Sequence, residues 1–185
     1  MDTTPTVSEP IISVGGAREL VRYTEWADAR LWAAATANDA ARKDEEIRKL
    51  LEHMHTVQHM FLGLWMEESF DVMKARAAAG SPDLASLQRR VRAYYDRAHQ
   101  FLGEVSGARF IGLVEMPWLA EYEKRLGMTF AKPTVAETVM QVVNHTTHHR
   151  AQAQSRLRAL GAEPQLADYI GWIWFGKPSP EWREP

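Results

Sequence analysis

The sequence contains no cysteine. That excludes a disulfide framework, a thiolate metal site and a cysteine nucleophile, so any thiol the protein uses has to come from outside the chain. Nor is there an excess of either charge: 22 Lys and Arg stand against 24 Asp and Glu, with a net charge of −2 and a pI of about 6.4. Such a balance leaves no electrostatic footprint for nucleic acid or an anionic membrane. No apolar run approaches the roughly 18 residues of a membrane span. The opening 1-MDTTPTVSEP-10 lacks the basic start and apolar centre of a signal peptide. These absences lead to the expectation of a soluble, cytoplasmic protein with no nucleic-acid or membrane partner.

What is present suits one globular domain. The chain has 185 residues, 45% hydrophobic and 25% charged, enough for a core that needs no covalent staple. Residues 1–16 read as a loose segment ahead of a single domain over 17–185. Helical periodicity runs from Ala17 to about Thr36, with Leu20, Val21, Trp26, Ala29, Leu31 and Trp32 on a broad face. After the polar break 37-ANDAARKD-44, a second helix is expected from about Asp44 to Phe70, with Glu45 and Glu46 complementing its dipole. Gly80 breaks the chain, Ser81 is placed to cap a third helix and Pro82 to open it. Residues 109–116 and 126–131 are short and β-like, which predicts a small hairpin or irregular crossover. Thr134 and Glu137 have capping-box spacing for a fourth helix that stops at Gly161, and the aromatic tail holds a short fifth helix around 165–175. Four long amphipathic helices with one long connection predict an all-α four-helix bundle. The aromatic tail then either closes one end of it or forms a partner contact.

The histidines are unevenly placed. In 142-VVNHTTHHRAQ-152, the apolar residues Val135, Val139, Val142, Ala153, Leu157 and Leu160 define the buried direction of the fourth helix. His149 lies roughly 45° and His145 roughly 85° from that direction, whereas His148 lies roughly 145° away, toward solvent. His145 and His149 are one turn apart, so both can reach one ion at about 2.1 Å. In 53-HMHTVQH-59, the same reasoning puts His53 at roughly 70°, His55 at about 130° and His59 at about 170° from the buried centre. His53 is therefore the inward candidate, while His55, His59 and His148 read as solvated and His99 as structural. Three imidazoles from two helices can hold a divalent ion with a position left for water, and imidazole suits Zn²⁺ or Ni²⁺. The plainer reading is a set of hydrogen-bonded histidines on a polar edge. Thr146 follows His145 where a zinc protease would carry Glu, so an HExxH reading fails.

These residues carry a resemblance. The run 144-NHTTHHRAQ-152 is similar to the HxxxHRGQ motif of the DinB/YfiT-like family of four-helix-bundle metalloproteins. The stretch 53-HMHTVQHMFLGLW-65 resembles that family's second-helix motif at His53, Gln58, Phe61 and Leu62. The resemblance implies a metal held by His53, His145 and His149. Two departures stand out: Ala151 replaces the usual Gly, and His55 competes with His53 for the second-helix ligand position.

Members of that family with known activity are metal-dependent transferases or isomerases that use a low-molecular-weight thiol such as bacillithiol, mycothiol or glutathione. The resemblance thus implies an enzyme that joins such a thiol to a small electrophile. Arg150 would then hold a carboxylate of substrate or thiol, or else form a salt bridge, and Gln58 and Gln152 would support the ligands by hydrogen bonds. Two other readings compete: a metal-dependent hydrolase using activated water, and a non-catalytic, stress-related bundle that the metal stabilises and that acts through dimer or partner contacts. A homodimer is expected from the resemblance and the aromatic tail.

Overall fold

The computed structural model describes residues 10–81 and 83–183. Among these the chain is helical, with no strand. In order the helices are α1 (Val14–Ala37), α2 (Asp39–Lys43), α3 (Glu45–Trp65), α4 (Phe70–Ala78), α5 (Leu84–Glu104), α6 (Gly107–Phe110), α7 (Leu119–Leu126), α8 (Val135–Ala159) and α9 (Tyr169–Trp174). No helix among the described residues is long and apolar enough to cross a membrane.

The long helices α1, α3, α5 and α8 pack in a closed ring: α3 on α8, α8 on α1, α1 on α5 and α5 on α3. Side-chain contacts give their directions. Asn38 meets the Leu160 carbonyl and Asp28 meets Arg150, so α1 and α8 run parallel. Trp65 meets Thr138 and Asp44 meets Arg156, so α3 and α8 run antiparallel. His59 meets the Arg90 carbonyl and Arg97 meets Glu68, so α3 and α5 run parallel and need the crossover that α4 supplies. The core between them holds Trp32, Ile47, Leu51, Met54, Leu62, Val91, Tyr94, Val139 and Leu157, all essentially inaccessible to solvent.

Local signals place most ends. Asp44 caps α3 by accepting from the Ile47 N–H at 2.9 Å. Thr134 and Glu137 form the expected capping box on α8, and Gly161 takes the left-handed conformation that terminates it, with φ +78°. Two expectations about helix ends need correction. The second helix stops at Trp65 rather than near Phe70, and a turn through Glu67 leads into α4. Met73 of α4 then packs directly over Gly63, where a Cβ would meet its sulfur at 2.5 Å. Asp83, not Ser81, caps α5, through a 2.7 Å bond from the Ser86 N–H. Ser81 is occupied otherwise, its hydroxyl accepting from Arg90 and its N–H donating to Glu52; Pro82 lies outside the described residues.

The predicted hairpin is absent among the described residues. The connection holds α6, α7 and one isolated bridge between Leu113 and Thr134. Ser106 caps α6, and Gly127, inside the segment expected to be β-like, is the left-handed stop of α7. The expected loose segment 1–16 is outside the described residues up to residue 9, and α1 begins three residues earlier than its periodicity suggested, capped by Ser13. The tail helix α9 packs on α1: Trp172 is fully buried against Tyr23 and Trp26.

Candidate metal centre

The antiparallel pairing of α3 and α8 sets one histidine opposite two. His53, read from periodicity as the inward histidine of α3, instead stands outward and exposed, and His145 and His149 stand one above the other on the facing edge of α8. Their ring centroids are 5.1 Å (His53 to His145), 4.6 Å (His53 to His149) and 4.3 Å (His145 to His149) apart. One nitrogen from each lies within 4.8 Å of the other two. His53 is exposed and the α8 pair half-buried, so the group opens to solvent.

Electrostatics keep the α8 pair neutral. Burial, and then the neighbouring His149, His53 and His148, push His145 down to about 4. Burial also lowers His149, partly opposed by its hydrogen bond with Gln152. Neutral imidazole is the form that offers a lone pair to a metal. Gln152 also orients the ring: its Oε1 lies 2.7 Å from His149 Nδ1, which leaves Nε2 free to face the group. The Gln152 amide nitrogen is 3.0 Å from His148 Nε2, so His148, although exposed, is tied to the same support.

The donor set fits a divalent ion. Two imidazole nitrogens on one ion at about 2.1 Å can stand no more than about 4 Å apart, so nitrogens that all lie within 4.8 Å of one another are close to the spacing one ion requires. The Nδ1 of His145 is buried and meets no hydrogen-bond partner among the described residues, a state that His59 Nδ1 outside the trio shares. A buried polar nitrogen without a partner is costly, and the alternative of three mutually satisfied polar histidines does not account for it.

The model of the DinB family matches residues 14–183. The chain belongs to the DinB family. No curated protein and no solved structure matches it.

In this DinB chain the other candidate residues take unexpected places. His55 is fully buried and points away from the trio: its Nε2 accepts from the Trp32 indole at 3.1 Å and its Nδ1 donates to Gln58 Oε1 at 2.7 Å. Of the two, it is His53 that stands beside His145 and His149 among the described residues. His59 is also buried, against Tyr94, with its Nε2 3.1 Å from the Arg90 carbonyl. The reading of His55 and His59 as solvated is therefore corrected. It took the buried direction of α3 from apolar residues alone, whereas α3 is covered by α4, α5 and α8 together. His148 is exposed, as expected, and His99 pairs with Glu25 at 2.6 Å.

Arg150 and Gln58 do not line the trio either. Arg150 is 3% exposed, and its guanidinium meets Asp28 Oδ1 at 2.9 Å and the Tyr23 hydroxyl at 3.1 Å. It serves a salt bridge inside the protein, the other role open to it, and is not presented to a carboxylate in solution. Gln58 is buried in the same network, with its Nε2 close to Asp28, Tyr95 and Thr146. Ala151 points to solvent, so its methyl group disturbs no helix contact. Sequence reasoning missed Asp28, Tyr95 and Thr146. The one available signal was Asp28 itself, a carboxylate inside the aromatic and aliphatic run 26-WADARLW-32.

Proposed function

We propose that this protein is a divalent-metal-dependent enzyme that adds or transfers a low-molecular-weight thiol to a small electrophile, with His53, His145 and His149 holding one Zn²⁺ or Ni²⁺. The observation that carries the reading is the convergence of three imidazoles from α3 and α8, two of them held neutral, at a face open to solvent. Three histidines and an open position are the pattern of a catalytic rather than a closed structural site. Such an ion, when bound, supplies Lewis acidity that favours the thiolate form of a coordinated thiol.

The residues of the chain do the rest. The trio confines the nucleophile to the α3–α8 face, and Gln152 keeps His149 turned toward it. The chain has no thiol of its own to compete for the site. In a transfer, the carbon–sulfur bond would form as the bond from that carbon to its leaving group breaks, the leaving group keeping the electron pair and the thiol proton passing to it or to water. In an addition, the carbon–sulfur bond would form as a π bond of the electrophile opens, and its far atom would take the proton. The tail side chains Ile170, Trp174 and Phe175 are exposed and support a homodimer as the assembly.

The test starts from untagged protein and a His53→Ala/His149→Ala variant, assayed for metal and then for thiol consumption with bacillithiol, mycothiol and glutathione against small electrophiles. About one ion per chain, lost in the variant together with thiol turnover, supports the proposal. Metal binding with water-dependent turnover but no thiol dependence moves the reading to a hydrolase. Metal that raises the melting temperature with no turnover in either assay moves it to a structural ion.

A further inference from the structure

Beneath the histidine trio lies a polar network that the proposed chemistry does not use. The Gln58 Nε2 atom of α3 lies 3.1 Å from Thr146 Oγ1 on α8, 3.2 Å from the Tyr95 hydroxyl on α5 and 3.3 Å from Asp28 Oδ2 on α1. One amide thus meets groups from each of the other long helices. Every member is buried: Asp28, Gln58, His55, Thr146 and Trp32 have no exposure, Tyr95 has 1% and Arg150 3%.

The hydrogen bonds have definite directions. The Trp32 indole donates to His55 Nε2, so the His55 proton sits on Nδ1 and is donated to Gln58 Oε1. That fixes which end of the Gln58 amide faces His55 and turns its N–H groups toward Thr146, Tyr95 and Asp28. Tyr95 donates to Asp28 Oδ2 at 2.5 Å, and Arg150 donates to Asp28 Oδ1. Reversing the Gln58 amide would set its nitrogen against a donor and its oxygen against a carboxylate.

We infer that this network is a positioning device for the metal centre: it fixes the register of α3 against α8, and so the separation of His53 from His145 and His149. The inference rests on the reading of the trio as a metal site. Its basis is the sequence adjacency of network and ligands. Thr146 directly follows His145, and Arg150 directly follows His149, so each α8 ligand is coupled to a buried anchor roughly 100° around the helix. On α3, His55 and Gln58 lie within five residues of His53. A slip of one residue between the helices moves a ligand by about 1.5 Å, several times the roughly 0.2 Å tolerance of a metal–ligand distance. The apolar part of the α3–α8 contact, with Val139, Val142 and Ala153, is non-directional and constrains the register through packing alone. A buried Asp–Arg pair is also a poor choice for stability alone, since apolar residues of similar volume often serve as well or better. Directional hydrogen bonds from one amide to three other helices add a register constraint to the one that apolar packing supplies.

The experiment uses Co²⁺ as the probe, titrated into the metal-free full chain and followed by its visible absorption, beside thermal melting. The variants are Asp28→Leu/Arg150→Met, which replaces the ion pair by apolar bulk, and the pair Thr146→Val and Thr146→Ser. The expected result is a folded Asp28→Leu/Arg150→Met protein that binds Co²⁺ about ten- to a hundredfold more weakly with an altered band pattern. Thr146→Val should show the same change in smaller degree, and Thr146→Ser, which keeps the hydroxyl, should bind as the wild type does. Wild-type Co²⁺ affinity and bands in the folded variants would overturn the inference and leave the network as packing. If the double variant does not fold, the Thr146 pair decides alone. A wild type that binds no Co²⁺ overturns the metal reading itself, and the inference falls with it, an outcome distinct from equal binding by all variants.

Discussion

The Asp28 carboxylate and the Arg150 guanidinium meet at 2.9 Å with 0% and 3% side-chain exposure. Arg150 also lies over the Tyr23 ring, 5.4 Å from its centroid. A charge in that position has no water to fall back on, so removing one partner leaves the other buried and unpaired. Arg150→Ala or Asp28→Ala alone is expected to destabilise the protein by about 3–5 kcal/mol. Urea unfolding midpoints read this directly; a loss of under about 1 kcal/mol would mean that water reaches the pair.

Gln152 should act on the metal through His149 and not through the fold. It is exposed, and its contact with His149 Nδ1 is the orienting one. Gln152→Ala is expected to weaken Zn²⁺ binding by about tenfold with little change in melting temperature. His148→Ala, which removes a ring outside the trio, should still bind one ion per chain. Calorimetric titration of both variants checks the contrast.

Stability should fall on acidification before the carboxylates titrate. Burial, and then the Arg90 guanidinium, push His59 down to about 4, below its usual 6.5. The unfolded chain therefore takes up this proton more readily than the folded one. The contribution is fully present above pH 6.5 and is lost as pH falls through that value toward 4, by up to about 3 kcal/mol. His59→Leu removes the titration, so its melting temperature should drop less between pH 7 and pH 4.5 than that of the wild type.

Two tail tryptophans should behave oppositely. Trp172 is fully buried and donates to the Pro178 carbonyl at 3.0 Å, so Trp172→Ala is expected to destabilise by about 3–5 kcal/mol. Trp174 is 73% exposed. Its replacement by Ala should leave the melting temperature nearly unchanged and, if the tail forms the homodimer contact, shift sedimentation toward the monomer.

Asp44 links the start of α3 to the end of α8, capping Ile47 and holding Arg156 at 2.6 Å. Asp44→Ala should cost about 1 kcal/mol from the cap. Arg156 is 35% and Asp44 12% exposed, so the bidentate pair adds a further modest loss, and raising the salt concentration should remove only part of the difference.

Helix content was legible in the sequence because it depends on nearest neighbours. The capping box at Thr134, the left-handed Gly161 and the apolar stripe of α5 each lie within a few residues of the feature they specify. The pairing of His145 with His149 belongs to the same class, since one helical turn brings them together in any context. The connection was misread because residues 109–116 and 126–131 carry β-like composition, while α6 overlaps only the start of the first and α7 lies almost wholly between them; Gly and Pro punctuate helices and strands alike.

The histidine that joins the α8 pair was a different matter. Apolar periodicity pointed to His53, but for a reason the structure revises: the buried direction of α3 includes His55, Gln58 and His59, which a hydrophobicity pattern counts as solvent-facing. Whether a polar side chain is buried depends on partners far along the chain. Asp28 and Arg150 are separated by 122 residues and Gln58 and Thr146 by 88, and neither member of a pair is a plausible core residue until the other is beside it. Local sequence specified the four long helices, the capping box of α8 and the one-turn spacing of His145 and His149, all set by nearby backbone and side-chain geometry. The tertiary structure decided that His53 completes the trio, that Arg150 faces inward, and that one buried amide joins the four long helices, because hydrogen bonds between distant residues exist only once the helices have packed.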